Sequence, residues 1–172
     1  AVTITDPLTI RYHLEKAVYM AKSGRPGPVC IDIPLDVQAS SIDPDSLAGF
    51  NSNNIEQNFD ESAVKDQVSQ IIELFNSSER PVILAGNGIR LAGGQTDFLK
   101  LVDLLGTPVL TTRLGVDIIP ATHELCYGMP GIIASRGANF TLQNSDCLLI
   151  LGARLDMALI AYAPDKLASA AK

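Results

Sequence analysis

The chain has 172 residues, a formal net charge of −6, and 47% hydrophobic against 19% charged residues. This length suits one domain, or one domain with part of a neighbour. The acidic balance and the lack of a basic run argue against nucleic acid and acidic membrane surfaces as partners. No stretch approaches the roughly 20 apolar residues of a membrane span, and no signal-peptide layout is present, so we expect a cytoplasmic protein.

The three cysteines, Cys30, Cys126 and Cys147, are odd in number and far apart. This spacing argues against a disulfide framework and against a zinc site. Cys30 and Cys147 lie in apolar runs, where we expect them to be small core residues. The chain starts without Met and stops at Lys172 after a helix-like run, so we also expect that both ends are cuts in a longer protein.

The first part of the chain reads as a helix, a turn and a strand. Apolar residues recur at helical spacing over 7–23, and the β-branched run 29–33 follows a Gly- and Pro-rich turn and ends at Pro34. From about 35 to 59 the sequence is rich in Ser, Asp and Asn without an apolar period, which predicts a linker and a domain boundary.

After the linker, amphipathic helices alternate with continuously apolar strands. This alternation predicts an α/β fold with a parallel sheet covered on both faces. The predicted helices are 60–76, 95–105 and 132–143, and the predicted strands are 81–85, 108–111 and 147–151.

A glycine turn, Gly86-Asn87-Gly88, follows the first of these strands. Such a turn allows the backbone to approach a phosphate at a helix N-terminus. The dinucleotide fingerprint is incomplete, because position 91 is Leu91 and the next strand ends in Thr111 and Thr112 rather than in an acidic residue. Two interpretations stay open, a turn that serves packing and a turn that contacts a nucleotide-like ligand.

A second glycine turn, Gly152-Ala153-Arg154, follows the last predicted strand. Arg154 is a candidate to bind a phosphate or carboxylate at the carboxyl edge of the sheet, or to pair with Asp156. His13 and His123 have no third ligand at metal spacing, so we predict no metal site. No residues form a recognisable nucleophilic or acid/base centre.

Five segments together resemble thiamine diphosphate-dependent enzymes of the acetolactate synthase type. Segment 24–38 resembles the end of that family's pyrimidine-binding domain. The remaining segments resemble, in order, its central domain: 80–88, 108–112, 128–131 and 145–154.

The resemblance implies a Rossmann-like three-layer αβα parallel sheet, preceded by a helix-strand remnant of the neighbouring domain. It assigns 1–38 to the end of the pyrimidine-binding domain, 39–59 to a linker and 60–172 to a truncated central domain. In this family thiamine diphosphate and Mg²⁺ are held by segments that would lie outside these residues. We therefore expect no catalytic residue in this chain.

In acetolactate synthases proper the central domain binds FAD. This chain departs from them at Pro130, where they have histidine, and after Asp156, where a second arginine is missing. Relatives without flavin share the same sheet, so both a flavin-binding and a flavin-free domain stay open. The matching cofactor-binding positions are Gly86, Asn87, Gly88, Thr111, Thr112, Met129, Gly131, Gly152, Ala153, Arg154 and Asp156.

The resemblance thus implies a fragment of a 2-keto acid decarboxylase or carboligase, a lyase or transferase that is inactive as the fragment alone. Its partners would be the other domains of the polypeptide, in a homodimer or homotetramer. Two alternatives are a nucleotide-binding module of an oxidoreductase and a ligand-free domain for structure or oligomerisation.

Overall fold

The structure is a computed structural model that describes residues 1–55 and 60–171. The chain divides into two compact units, Ala1–Phe59 and Asp60–Lys172. The last four positions of the predicted linker, 56–59, and position 172 lie outside the described residues. Within the described part of the chain, no helix has the length and hydrophobicity to cross a membrane.

The first unit consists of one long helix, a small parallel sheet and several turns. Asp6 begins the helical region, because its carboxylate accepts a hydrogen bond from the Leu8 N–H at 3.0 Å, and Pro7 fits the first turn. The elements are β1 (Val2–Thr3), the turn Pro7–Thr9, α1 (Ile10–Lys22), β2 (Ile31–Asp32) and α2 (Leu35–Gln38), followed by the turns Pro44–Ser46 and Ser52–Asn54.

The predicted helix of the first unit is confirmed, but its predicted strand is too long. Only Ile31 and Asp32 of 29–33 pair with β1, because β1 is itself only two residues long. Cys30 is exposed, so the prediction that it is a core residue is wrong. The predicted linker starts with a helical turn, α2, which the lack of an apolar period concealed.

The second unit is an α/β sheet of four parallel strands in the order β5-β4-β3-β6. β3 lies inside the sheet, and its residues from Val82 to Ala85 are buried. A strand with neighbours on both sides and helices on both faces needs apolar side chains in both directions, which explains its continuous apolar run. The strands are β3 (Pro81–Ala85), β4 (Val109–Thr111), β5 (Cys126–Gly128) and β6 (Cys147–Leu151).

Hydrophobic clusters cover both faces of this sheet. Val82 and Leu84 point into one cluster with Leu142, whereas Ile83 points into the other with Val102. The two clusters alternate along β3 because successive side chains of a strand point to opposite faces. The predicted α/β sheet, covered on both faces, is confirmed. The helices of the unit are α3 (Glu61–Asn76), α4 (Gly88–Leu91), α5 (Gln95–Leu105) and α6 (Arg136–Gln143).

Helix α3 has the predicted bounds but not the predicted burial. Asp60 caps it by accepting hydrogen bonds from the N–H groups of Ser62 and Ala63. None of its residues is buried; Val68 and Ile72 are exposed and Phe75 is half-buried against the cluster that contains Ile83. The periodicity identified the helix, while the number of neighbours that cover its apolar side was decided by tertiary structure.

Two short elements of the second unit were not predicted. Strand β5 (Cys126–Gly128) pairs with β4, and α4 (Gly88–Leu91) follows the first glycine turn. Helix α6 begins at Arg136, later than the predicted start at 132, because Ser135 caps it by accepting a hydrogen bond from the Ala138 N–H.

Candidate functional site

The turns that carry the predicted site residues meet at the carboxyl edge of the sheet. Ala85 at the end of β3 pairs with Thr111 of β4 on one side and with Leu151 of β6 on the other. The chain segments that leave these three strands therefore start at the same level. This edge is where open α/β sheets bind their ligands.

The first glycine turn packs directly against the second. The Gly86 N–H donates to the Leu151 carbonyl at 2.9 Å, and the Gly88 N–H donates to the Gly152 carbonyl at 2.8 Å. A Cβ atom on Gly88 would lie 2.7 Å from the Gly152 Cα, closer than a real Cβ contact allows. A Cβ on Gly86 would collide with the Gly152 carbonyl oxygen and the Ala153 Cα. The two turns thus contact each other backbone to backbone.

The segment after β4 closes onto the same turn. Thr111 and Thr112 are both buried, and the Thr112 N–H donates to the Ala85 carbonyl at 2.9 Å. A Cβ on Gly115 would lie 3.1 Å from the Gly86 carbonyl carbon. Sequence reasoning did not single out Gly115, although a glycine soon after a strand end is the signal that finds it.

The predicted positions Met129 and Gly131 lie on the loop after β5. The Gly131 N–H donates to Asn139 Oδ1 at 2.8 Å, while Asn139 Nδ2 donates to the Gly131 carbonyl at 2.9 Å. The Ile132 N–H donates to the Ala158 carbonyl at 3.1 Å. The loop is therefore held by α6 on one side and by the segment after the second glycine turn on the other, and Met129 is half-buried in it.

Arg154 and Asp156 do not pair with each other. Both are exposed, and the ion pairs of the described residues do not include them. The Asp156 carboxylate accepts a hydrogen bond from the Leu159 N–H at 2.9 Å, so it caps the turn that follows. Of the two roles left open for Arg154, the pairing with Asp156 is not found, and the Arg154 side chain is exposed at the edge of the sheet.

Arg90 was not predicted as part of this edge, yet it connects two of its turns. One guanidinium nitrogen donates to Asn87 Oδ1 at 2.7 Å, and another donates to Asp117 Oδ1 at 2.6 Å. The Arg90 guanidinium holds the pKa of the Asp117 carboxyl below its usual range. Arg90 and Asp117 are 27 positions apart, and no periodicity in the sequence links them.

Comparisons with known proteins identify the domain. A family model described as "Thiamine pyrophosphate enzyme, central domain" matches residues 68–172. The chain belongs to the thiamine pyrophosphate enzyme family. The match spans the sheet of the second unit and all three turns at its carboxyl edge. The acetolactate synthase-like resemblance is thereby confirmed at the level of this family.

Curated relatives within this family are longer than the chain. A probable acetolactate synthase large subunit from Methanococcus aeolicus is 40% identical over 146 residues, which cover 80% of this chain and 23% of that protein. The acetolactate synthase large subunit of Lactococcus lactis is 36% identical over 141 residues (82% and 24%). Glyoxylate carboligase of Escherichia coli O157:H7 is 35% identical over 157 residues (90% and 26%). The chain thus spans about a quarter of the length of these relatives.

The residues described do not fit a Mg²⁺ site in this domain. No group of three or more His, Cys, Asp or Glu side chains that could hold a metal ion occurs in residues 1–55 and 60–171. His123 Nε2 lies 3.2 Å from a carboxylate oxygen of Asp103, which accounts for that ring without a metal. His13 stacks edge-on with Tyr12 in the first unit.

The N–H groups of Gly86, Gly88 and Ile89 are not available to the diphosphate of FAD or of a nicotinamide dinucleotide. A phosphate-binding turn needs backbone N–H groups that point at the ligand. The N–H groups of Gly86 and Gly88 instead donate to β6 and its turn, and that of Ile89 donates to the Gly86 carbonyl. The alternative of an oxidoreductase nucleotide module finds no support in the family match.

Two open grooves lie away from this edge. One, of about 480 Å³, lies at the opposite edge of the sheet and is bordered by Arg80, Pro108 and Asn144. The other, of about 560 Å³, lies in the first unit beside β2 and is bordered by His13, Cys30 and apolar residues. Neither groove includes any of the predicted cofactor-binding positions.

Proposed function

We propose that this chain is the supporting middle part of a thiamine diphosphate- and Mg²⁺-dependent enzyme that acts on 2-keto acids as a decarboxylase or carboligase. The observation that carries the proposal is a family-matched central domain whose carboxyl-edge turns are closed by backbone contacts. In this proposal the domain supports its neighbours and supplies no reacting groups.

The reacting groups of this enzyme would come from outside the chain. Thiamine diphosphate, where bound, would supply the nucleophile and the electron sink for reactions at a keto carbonyl. Within the described residues, no metal-binding group of acidic, histidine or cysteine side chains is assembled, and the carboxylates singled out at the sheet edge are used as turn caps or ion-pair partners. In this proposal the central domain orients the neighbouring domains. Residues 1–38 form the C-terminal end of the preceding pyrimidine-binding domain.

Partners follow from the same proposal. We expect the other domains of the polypeptide to pack on the exposed apolar side chains of this chain, such as Leu35 (81% exposed), Val68 and Ile72. A homodimer or homotetramer of the full-length protein is proposed because thiamine sites of the resembling family lie between two subunits. The chain is similar both to an acetolactate synthase relative and to a glyoxylate carboligase. The proposal therefore includes the acceptor substrates of both kinds of enzyme.

The test compares the full-length protein with the 172-residue chain. Each is titrated with thiamine diphosphate and Mg²⁺ by calorimetry, and CO₂ release from pyruvate and from glyoxylate is then measured. We expect binding and CO₂ release only with the full-length protein, and only when both cofactors are present. Tight binding of thiamine diphosphate by the 172-residue chain would contradict the scaffold role. A full-length protein that releases no CO₂ from either acid would contradict the proposed reaction.

A further inference from the structure

We propose that Gly86, Gly88 and Gly152 form a backbone clasp that locks the end of β3 to the end of β6. In this interpretation the glycines are required by contact between two turns of the protein itself. The Gly-Asn-Gly sequence resembles the start of a phosphate-binding loop. In this interpretation the N–H groups of Gly86 and Gly88 do not bind a phosphate.

Two backbone donors at the start of α4, the N–H groups of Gly88 and Ile89, are used within the protein. The Gly88 N–H is the first amide of α4, and it donates to the Gly152 carbonyl at 2.8 Å. The Ile89 N–H, which follows it, donates to the Gly86 carbonyl at 3.2 Å. Helix α4 contains only four residues, so its dipole adds little attraction for an anion. These two N–H groups are therefore already paired inside the protein.

The space around the three glycines is also filled by protein backbone. A Cβ on Gly88 would lie 2.7 Å from both the Cα and the carbonyl oxygen of Gly152. A Cβ on Gly152 would lie 2.5 Å from the Ile89 nitrogen, and Gly152 has a φ of 58°, which disfavours any other residue. Because the neighbouring atoms are backbone, they cannot move aside as a flexible side chain would.

The clasp lies directly after the paired residues of β3 and β6. β3 and β6 are paired along all five residues from Pro81 with Cys147 to Ala85 with Leu151, and the clasp continues this pairing beyond the last strand residue. It fixes where the chain leaves both strands. Arg154, whose side chain is exposed, follows two residues after Gly152.

The first test is thermal unfolding of Gly88→Ala, Gly152→Ala and the double variant. The matched control is Gly137→Ala, since Gly137 lies in helix α6 with no atom within 4 Å of an added Cβ. We expect each clasp variant to lower Tm by more than about 5 °C and the control to leave it equal or higher. The decrease in Tm of the double variant should be smaller than the sum of the two single decreases, because both substitutions disrupt the same contact between Gly88 and Gly152. A clasp variant that fails to fold while Gly137→Ala folds counts as the expected loss, and clasp variants as stable as the control overturn the proposal.

The second test follows backbone amide exchange in the unchanged chain with FAD and with ADP. We expect neither compound to protect the amides of residues 86–89 beyond their protection in the chain alone. Binding that leaves these amides unaffected supports the clasp, since the phosphate then lies elsewhere. Saturable binding that slows exchange at Gly86 or Gly88 overturns it.

Discussion

The parallel strands of the two units differ in how many neighbouring strands and hydrophobic clusters surround them. Among the described residues of the first unit, β1 and β2 pair only with each other, both are two residues long, and helix α1 has no buried residue. In the second unit β3 has a partner on each side and a hydrophobic cluster on each face, and four of its five residues are buried. The difference shows that the length and burial of a strand depend on its neighbours more than on its own apolar content.

The run Val29-Cys30-Ile31-Asp32-Ile33 makes the point within one sequence. Its residues favour a strand as strongly as those of β3 do. Val29 nevertheless remains 44% exposed, and only two residues of the run are paired. An apolar strand with one short partner cannot bury both of its faces, so the remaining surface stays open to contact.

The largest predicted effect comes from comparing a buried leucine of the second unit with an exposed leucine of the first unit. Leu110 in β4 is fully buried, and Leu110→Ala should lower the free energy of unfolding of the second unit by about 2–5 kcal/mol. Leu8→Ala is the matched change in the first unit, where Leu8 is 59% exposed, and it should cost about 0.5 kcal/mol or less. Urea unfolding, monitored in each unit by hydrogen exchange, measures the loss of unfolding free energy for both variants. Equal losses would show that the buried Leu110 side chain contributes no more to stability than the exposed Leu8 side chain does.

A second, smaller effect concerns the loop that carries Met129 and Gly131. Asn139→Ala removes both hydrogen bonds between the Asn139 side chain and the Gly131 backbone, and should cost about 1–3 kcal/mol because Gly131 is buried. Asn139→Asp keeps an acceptor for the Gly131 N–H but loses the donor to its carbonyl. Urea unfolding should therefore place the Asp variant between the Ala variant and the unchanged chain. An Ala variant as stable as the unchanged chain would mean that water replaces the amide at no cost.

The smallest predicted effect lies at the opposite edge of the sheet and depends on pH. The Asp146 carboxylate accepts hydrogen bonds from the Glu79 N–H at 2.9 Å and the Arg80 N–H at 2.8 Å, joining the chain before β3 to the start of β6. These bonds, that from Glu79 foremost, lower the pKa of Asp146 in the folded chain. The stabilisation is therefore fully present above the ordinary aspartate pKa of about 4 and is lost as the pH falls through the lowered folded value.

Thermal unfolding of Asp146→Asn across this pH range checks the sign. The difference in Tm between the unchanged chain and the variant should be greatest near neutral pH and should shrink under acid. Asp66→Asn, on the exposed surface of α3, serves as the control for a lost negative charge. A difference that grows as the pH falls would contradict the assignment.

Much of the second unit could be predicted because its signals are local and repeated. Helices α3 and α5 have the predicted bounds within one residue, and β3 and β6 match the predicted strands. β5 (Cys126–Gly128) escaped prediction because three residues are too few for a period to appear, and its pairing with β4 is a long-range contact. The resemblance to a family identified the domain from short segments, whereas the residue types in those segments left both packing and ligand binding open.

The sequence alone therefore determined the α/β class, the order of the longer helices and strands of the second unit, and which turns follow the ends of its strands, since periodicity and strand ends are local properties. Only the tertiary structure decided what those turns do. It placed the Gly152 carbonyl on the Gly88 N–H, separated Arg154 from Asp156, and brought Arg90 to Asp117. These outcomes depend on which residues meet across tens of positions of chain, and that is set by how β3, β4 and β6 pair.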